Sequence, residues 1–243
     1  MTQKPLLIIQ PATSHDDLPD LCAVRGDELA WFGEACGIDR ARIMAAKVWC
    51  DEPLPDPRDV AGVIITGAID MVTDGHAWIG RTADWTRGAI AAQTPLLGVC
   101  FGHQLLAHAL GGRVADNPLG AAFGAITVRA SPAARRDALF GVLPETADMM
   151  VFHWQSVLDP PAGATILAAA AHDPFHAARY GPRAWGTQFH PEFDAAIMAG
   201  SIDVYADAIA RAGFAVPDLR AANRDCPAGR VLLRRFAQIA GLA

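Results

Sequence analysis

The chain has 243 residues, 52% of them hydrophobic and 19% charged, enough to bury a sizeable core and far from the composition of a disordered chain. A formal charge of −6 argues against a surface built for nucleic acid or an anionic membrane. Its two lysines, Lys4 and Lys47, follow no glycine-rich turn, which excludes a Walker-type phosphate loop.

In chain order, the first element is the apolar run Leu6–Gln10, a strand too short to span a membrane and without a signal-peptide cleavage pattern. A helix is predicted over Gly26–Cys36, and a strand over Val60–Thr66 runs into the turn Thr66-Gly67-Ala68. Helical spacing over Ala83–Ala92 precedes a strand at Pro95–Cys100 and a helix at Gly102–Leu110, which Gly111 and Gly112 terminate. Short strands then follow at Ala125–Arg129, Asp148–Phe152, Thr165–Ala169, Ala177–Tyr180 and Ala184–Phe189. Strand–helix alternation in the first half implies an α/β fold, a mostly parallel sheet with helices on both faces. The closely spaced later strands imply a small antiparallel extension at one edge.

No repeat or linker is visible, so 1–243 reads as one domain, with a core over 1–193 and a helical cover over 194–243. The cover has apolar spacing at Ile197, Ile202, Tyr205 and Ile209, then a final helix, Arg230–Ile239, turning Val231, Leu232, Leu233, Phe236 and Ile239 inward. The cysteines, Cys22, Cys36, Cys50, Cys100 and Cys226, form no Cys-x-x-Cys pair. Their scatter suggests a reduced, cytoplasmic protein. No metal-ligand spacing is read among His15, His76, His103, His108, His172 and His176, and no metal or cofactor is expected.

Two stretches carry chemistry. In Pro95-Leu-Leu-Gly-Val-Cys-Phe-Gly-His-Gln104 an apolar strand meets Cys100, and Gly102 opens a helix. This is the layout of a nucleophile elbow, with Gly98 and Gly102 leaving room for strand and helix to approach. A thiol at a helix N-terminus feels the positive end of the peptide dipoles, which favours the attacking thiolate. In Trp185-Gly-Thr-Gln-Phe-His-Pro-Glu-Phe193 a strand ends at His190, and Glu192 stands two residues on. Residues two apart in extended chain project to one side, so the carboxylate can hold one imidazole nitrogen while the other faces the thiol.

Gly98-Val-Cys-Phe-Gly-His-Gln104 and His190-Pro-Glu192 together resemble the two signatures of the class I glutamine amidotransferase family. The resemblance, in motif order over about residues 4 to 193, implies a flavodoxin-like, doubly wound fold and a Cys100–His190–Glu192 triad. It also implies an oxyanion hole from the backbone N–H groups of Ala68 and Phe101, donors worth roughly 3–4 kcal/mol of barrier each. Val63-Ile-Ile-Thr-Gly-Ala-Ile-Asp70 departs from the family pattern, with Ala68 where glycine is common and Ile69 where proline is common. Further implied substrate contacts are Gly67, Gln104, Phe123 and Gly124 of the 120–124 loop, and His153 within Phe152-His-Trp-Gln-Ser-Val157, for which a structural core role is the equal alternative.

Three functions follow. One is a glutaminase delivering ammonia to a separate synthetase subunit. The second is a γ-glutamyl peptidase releasing an amine; no ammonia-using region is read in the chain. The third is a non-catalytic regulatory protein on the same fold, which an intact triad disfavours. The expected partner is a small molecule, glutamine or a γ-glutamyl compound, with neither nucleic acid nor membrane.

Overall fold

A computed structural model describes residues 3–12 and 18–243; His15 lies outside the described residues. The strands β1 (Leu6–Gln10), β2 (Ile43–Lys47), β3 (Gly62–Ile65), β4 (Leu96–Val99) and β11 (Ala184–Thr187) form the parallel half of a nine-stranded sheet. The sheet continues in antiparallel sense through β10 (Asp173–Gly181), β9 (Thr165–Ala170), β6 (Ala122–Ala130) and β7 (Thr146–His153). The order is β2-β1-β3-β4-β11-β10-β9-β6-β7, and a separate antiparallel pair joins β5 (Arg113–Asp116) to β8 (Gln155–Asp159). The α/β sheet with its antiparallel edge extension is as the alternation of elements implied.

Leu6, Leu7, Ile8 and Ile9 are all fully buried because β1 lies inside the sheet with helices on both sides. Leu6 and Ile8 join a cluster with α2 (Glu28–Cys36) and the final helix, α8 (Ala228–Ile239). Leu7 and Ile9 join the opposite cluster, with α3 (Ala77–Ala91) and α4 (Phe101–Ala109). Strand alternation thus feeds two apolar layers from one run of residues.

Some elements differ from the sequence expectation. Strand β2 carries no sequence signal, because Met44-Ala45-Ala46 lacks the β-branched residues that mark a strand, yet its backbone pairs in register with β1. Helix α3 begins at Ala77, six residues before the expected start, and buries Trp78, Ile79 and Thr82. Gly80 and Thr82 weaken its intrinsic propensity, so packing decides. A further helix, α1 (Pro19–Arg25), was also unmarked.

After Asp194 come α5 (Ala195–Val204), α6 (Ala206–Arg211), α7 (Val216–Ala222) and α8. Helix α8 turns Leu232, Leu233 and Phe236 inward as expected, but Val231 is 47% exposed, since a 100° step from Leu232 carries it off the buried stripe. A Cβ at Gly229 would lie 2.6 Å from the Pro191 carbonyl oxygen, so α8 starts directly against the His190–Glu192 turn.

Candidate active site

Helix α4 starts immediately after β4, and the reversal is concentrated in Cys100, whose backbone takes φ 51° and ψ −103°. A non-glycine residue in this region is strained and needs its surroundings to hold it. Here the Cys100 N–H donates to the Thr187 carbonyl at 2.7 Å, and the Gln104 N–H donates to the Cys100 carbonyl at 3.1 Å. The glycines expected to permit close approach do so. A Cβ at Gly98 would meet Gly102 O at 2.3 Å, and one at Gly102 would meet Ile65 O at 2.3 Å. Only hydrogen fits at either position.

The thiol projects from the carboxyl end of the parallel sheet with 5% exposure. Gln188 Nε2 lies 3.5 Å from Cys100 Sγ, and the Phe152 carbonyl oxygen lies 3.7 Å from it. His190 is anchored where its N–H donates to the Met150 carbonyl at 2.8 Å, a bridge between the two halves of the sheet. Its Nδ1 lies 2.7 Å from Glu192 Oε1, leaving Nε2 for the side that interacts with Cys100. Gly67 makes room for this ring, since a Cβ there would stand 2.8 Å from His190 Cε1. Phe193 stacks on the imidazole at 4.2 Å between centroids.

Burial by itself would lower the proton affinity of His190, but Glu192 and Cys100 beside it overcome that and push it up to about 10. Glu192 therefore orients the ring, and with Cys100 it favours the charged form. Glu192 is 3% exposed, and its Oε2 has no hydrogen-bond partner among the described residues.

The N–H of Phe101 opens α4 and so has no acceptor within the helix. Ala68 lies beyond the end of β3 and is absent from the left-handed positions, so alanine carries no backbone penalty there. A pocket in front of Cys100 is lined by Thr66, Gly67, Ala68 and Ile69, by His190, Glu192 and Phe193, and by Phe152.

The remaining expected contacts lie behind that wall. The buried Gln104 side chain donates to the Gln155 carbonyl at 2.7 Å and to Gln188 Oε1 at 3.1 Å. Phe123 packs edge-to-face on Phe152, Trp154 and Phe214, each 5.0 Å away, and neighbouring Gly124 has a φ of 89°. His153 is 2% exposed and binds the Gln155 carbonyl through Nδ1 at 3.0 Å. Conversely, sequence patterns missed Leu18, Trp31 and Phe32 and, from α5 and its end, Ser201 and Tyr205, all of which line the pocket. Leu18 precedes α1, Trp31 and Phe32 lie on α2, and Ser201 and Tyr205 lie on α5 and at its end; none carries a local motif that separates pocket from core.

Comparison with known proteins places the fold in a family. A model of the family "Glutamine amidotransferase class-I" matches residues 39–200, and the chain belongs to that family. Among curated relatives, GMP synthase [glutamine-hydrolyzing] of Aeropyrum pernix is 34% identical over 132 residues, 54% of this chain and 24% of the relative. Gamma-glutamyl peptidase 5 of Arabidopsis thaliana is 28% identical over 158 residues, 63% of each chain. The match thus spans about a quarter of the synthase's length and less than two thirds of the peptidase's. A glutamine amidotransferase structure from Thermotoga maritima superposes with a TM-score of 0.74 at 20% identity, covering 98% of this chain and 99% of that one. The sheet is therefore a flavodoxin-like α/β arrangement of the family type. No helix among the described residues is long and apolar enough to cross a membrane.

Proposed function

We propose that the chain hydrolyses the γ-amide of glutamine through a γ-glutamyl thioester on Cys100. The observation that carries this reading is the strained Cys100 elbow beside His190, itself held by Glu192 at 2.7 Å. The thiolate adds to the amide carbonyl while the N–H groups of Ala68 and Phe101 stabilise the developing oxyanion. His190 protonates the departing ammonia and then, as base, takes a proton from the water that clears the thioester. Glutamate and ammonia leave, and the thiolate–imidazolium pair is restored. In this reading the ammonia passes to a separate synthetase subunit, in line with the resemblance to GMP synthase.

A second reading, cleavage of a γ-glutamyl conjugate with release of an amine, is favoured by the pocket itself. Trp31, Phe32, Ile69, Phe193 and Tyr205 give it an apolar and aromatic wall that an amine substituent would cover and ammonia would not. The similarity to a γ-glutamyl peptidase points the same way.

Ammonia release from glutamine and glutamate release from γ-glutamyl dipeptides with aromatic or aliphatic second residues test both readings. Cys100→Ala is expected to lower either activity by at least about ten-thousand-fold. Preference for apolar dipeptides over glutamine selects the second reading. No turnover of any γ-glutamyl compound, with or without a synthetase, sinks both.

A further inference from the structure

Behind the wall of the active site, three histidines converge: His153 at the end of β7, His172 in the β9–β10 turn, and His176 on β10. One ring nitrogen from each lies within 4.8 Å of the others. The rings are packed in pairs, with centroids 5.4, 5.9 and 5.5 Å apart. His153 and His176 are buried, while His172 is only partly so and faces the outside.

The hydrogen bonds determine what this trio can offer. His153 Nδ1 sits 3.0 Å from the Gln155 carbonyl, which can only accept, so Nδ1 carries the proton and Nε2 presents its lone pair. That Nε2 lies 3.3 Å from His172 Nε2. Two ligands of a tetrahedral ion are separated by about 1.63 times the bond length, or about 3.3–3.4 Å for a zinc–imidazole bond of about 2.05 Å. His176 is fully buried, and neither of its ring nitrogens has a hydrogen-bond partner among the described residues. Burying two polar ring atoms with no partner is expensive and calls for a ligand. Asp173 Oδ2, at the start of the same strand, is a third buried atom without a hydrogen-bond partner among the described residues.

We propose that His153, His172 and His176 form a binding site for a divalent transition-metal ion of the zinc type. Three neutral imidazoles match the preference of zinc, cobalt and nickel for nitrogen ligands, and the partial exposure of His172 supplies an entry path. A backbone carbonyl accepting from His153 Nδ1 is the usual orienting partner of a metal-bound imidazole. The ion would tie the β9–β10 turn to β7, whose Phe152 carbonyl faces Cys100, and to His176, whose own carbonyl accepts the Gln188 N–H at 2.9 Å. The site does not depend on the reaction assigned to Cys100.

The test uses the untagged full chain carrying Cys100→Ala, which removes a competing thiolate. After chelator treatment, Co2+ is titrated while its d–d absorption is followed, and Zn2+ is titrated in competition with a chromophoric chelator. One equivalent of each ion is expected, with intense cobalt bands of a nitrogen-rich site of low coordination number. Adding His172→Ala, in the turn where folding depends on it least, is expected to weaken binding at least about tenfold. The zinc-dependent rise in unfolding temperature should disappear with it. His176→Phe, which preserves stacking on Phe189, should abolish binding. Failure to bind either ion saturably overturns the proposal, as does binding that His172→Ala leaves unchanged; the rings would then be a packed trio joined only by the His153–His172 contact.

Discussion

His190 and His103 are both enclosed histidines near Cys100, yet they behave in opposite ways. His103 is fully buried in α4, with Nε2 at 3.1 Å from the Phe175 carbonyl and Nδ1 at 3.1 Å from the Tyr180 hydroxyl. Burial holds it down to about 4, and the Phe175 carbonyl only partly opposes that, so the ring is neutral. His190 meets the same penalty but has Glu192 and Cys100 beside it and is pushed up to about 10. Enclosure alone makes a structural histidine, and enclosure beside a carboxylate makes a charged one. The position of a histidine near Cys100 in sequence is therefore no guide to its role.

Removing the partner should convert one kind of histidine into the other. Glu192→Gln keeps the shape of the contact and removes its charge, so the His190 value should fall. The expected result is a loss of about ten-thousand-fold in kcat. The alkaline limb of the kcat/KM profile should also move to lower pH. An unchanged profile would show that Glu192 does not set the charge of the ring.

A smaller effect is expected from displacing His190 with its partner intact. Gly67→Ala places a methyl 2.8 Å from His190 Cε1, and the ring must shift. We expect about a hundred-fold loss in kcat with little change in unfolding temperature, because a shift of an ångström disrupts attack geometry far more than packing. Equal losses of stability and rate would place the effect in the fold instead.

The smallest effect separates the two rings by pH. The His190 value is raised on folding, so its contribution to stability is fully present below its unfolded value of about 6.5 and is lost as pH rises through about 10. For His103 the folded value is depressed to about 4, so the unfolded chain takes the proton first. Its contribution is present above about 6.5 and is lost as pH falls towards 4, by up to about 1.4 kcal/mol per pH unit. Urea unfolding between pH 7 and 4.5 should therefore show a shallower pH dependence for His103→Gln than for the parent.

Much of the fold was legible because its signals are local. The all-apolar Leu6–Ile9 run, the glycines at 98 and 102 and the His190-Pro191-Glu192 turn each need only their own neighbours to be recognised. The residues of the elbow and of the His–Glu pair were legible for the same reason: a strand–turn–helix and a two-residue spacing are short-range geometry. Strand β2 was not legible, because its alanines become a strand only through pairing with β1. The pocket wall was equally hidden. Trp31 and Tyr205 sit on stripes whose spacing says only that they are buried or half-buried, not what they face.

The sequence by itself determined the order of the motifs along the chain, the cysteine at a strand-to-helix turn and the carboxylate two residues beyond His190. Only the tertiary structure decided which side chains meet from afar. It set Gly67 against His190, α8 against Pro191, Gln104 against Gln155 and Gln188 behind the pocket, and His153, His172 and His176 around one point. The physical reason is that periodicity reports the direction in which a side chain points relative to its own element, whereas contacts depend on how the sheet brings separate strand ends together. The three histidines illustrate it: His172 and His176 stand four residues apart, but His153 is nineteen residues upstream, and only the fold brings it to them at the end of β7.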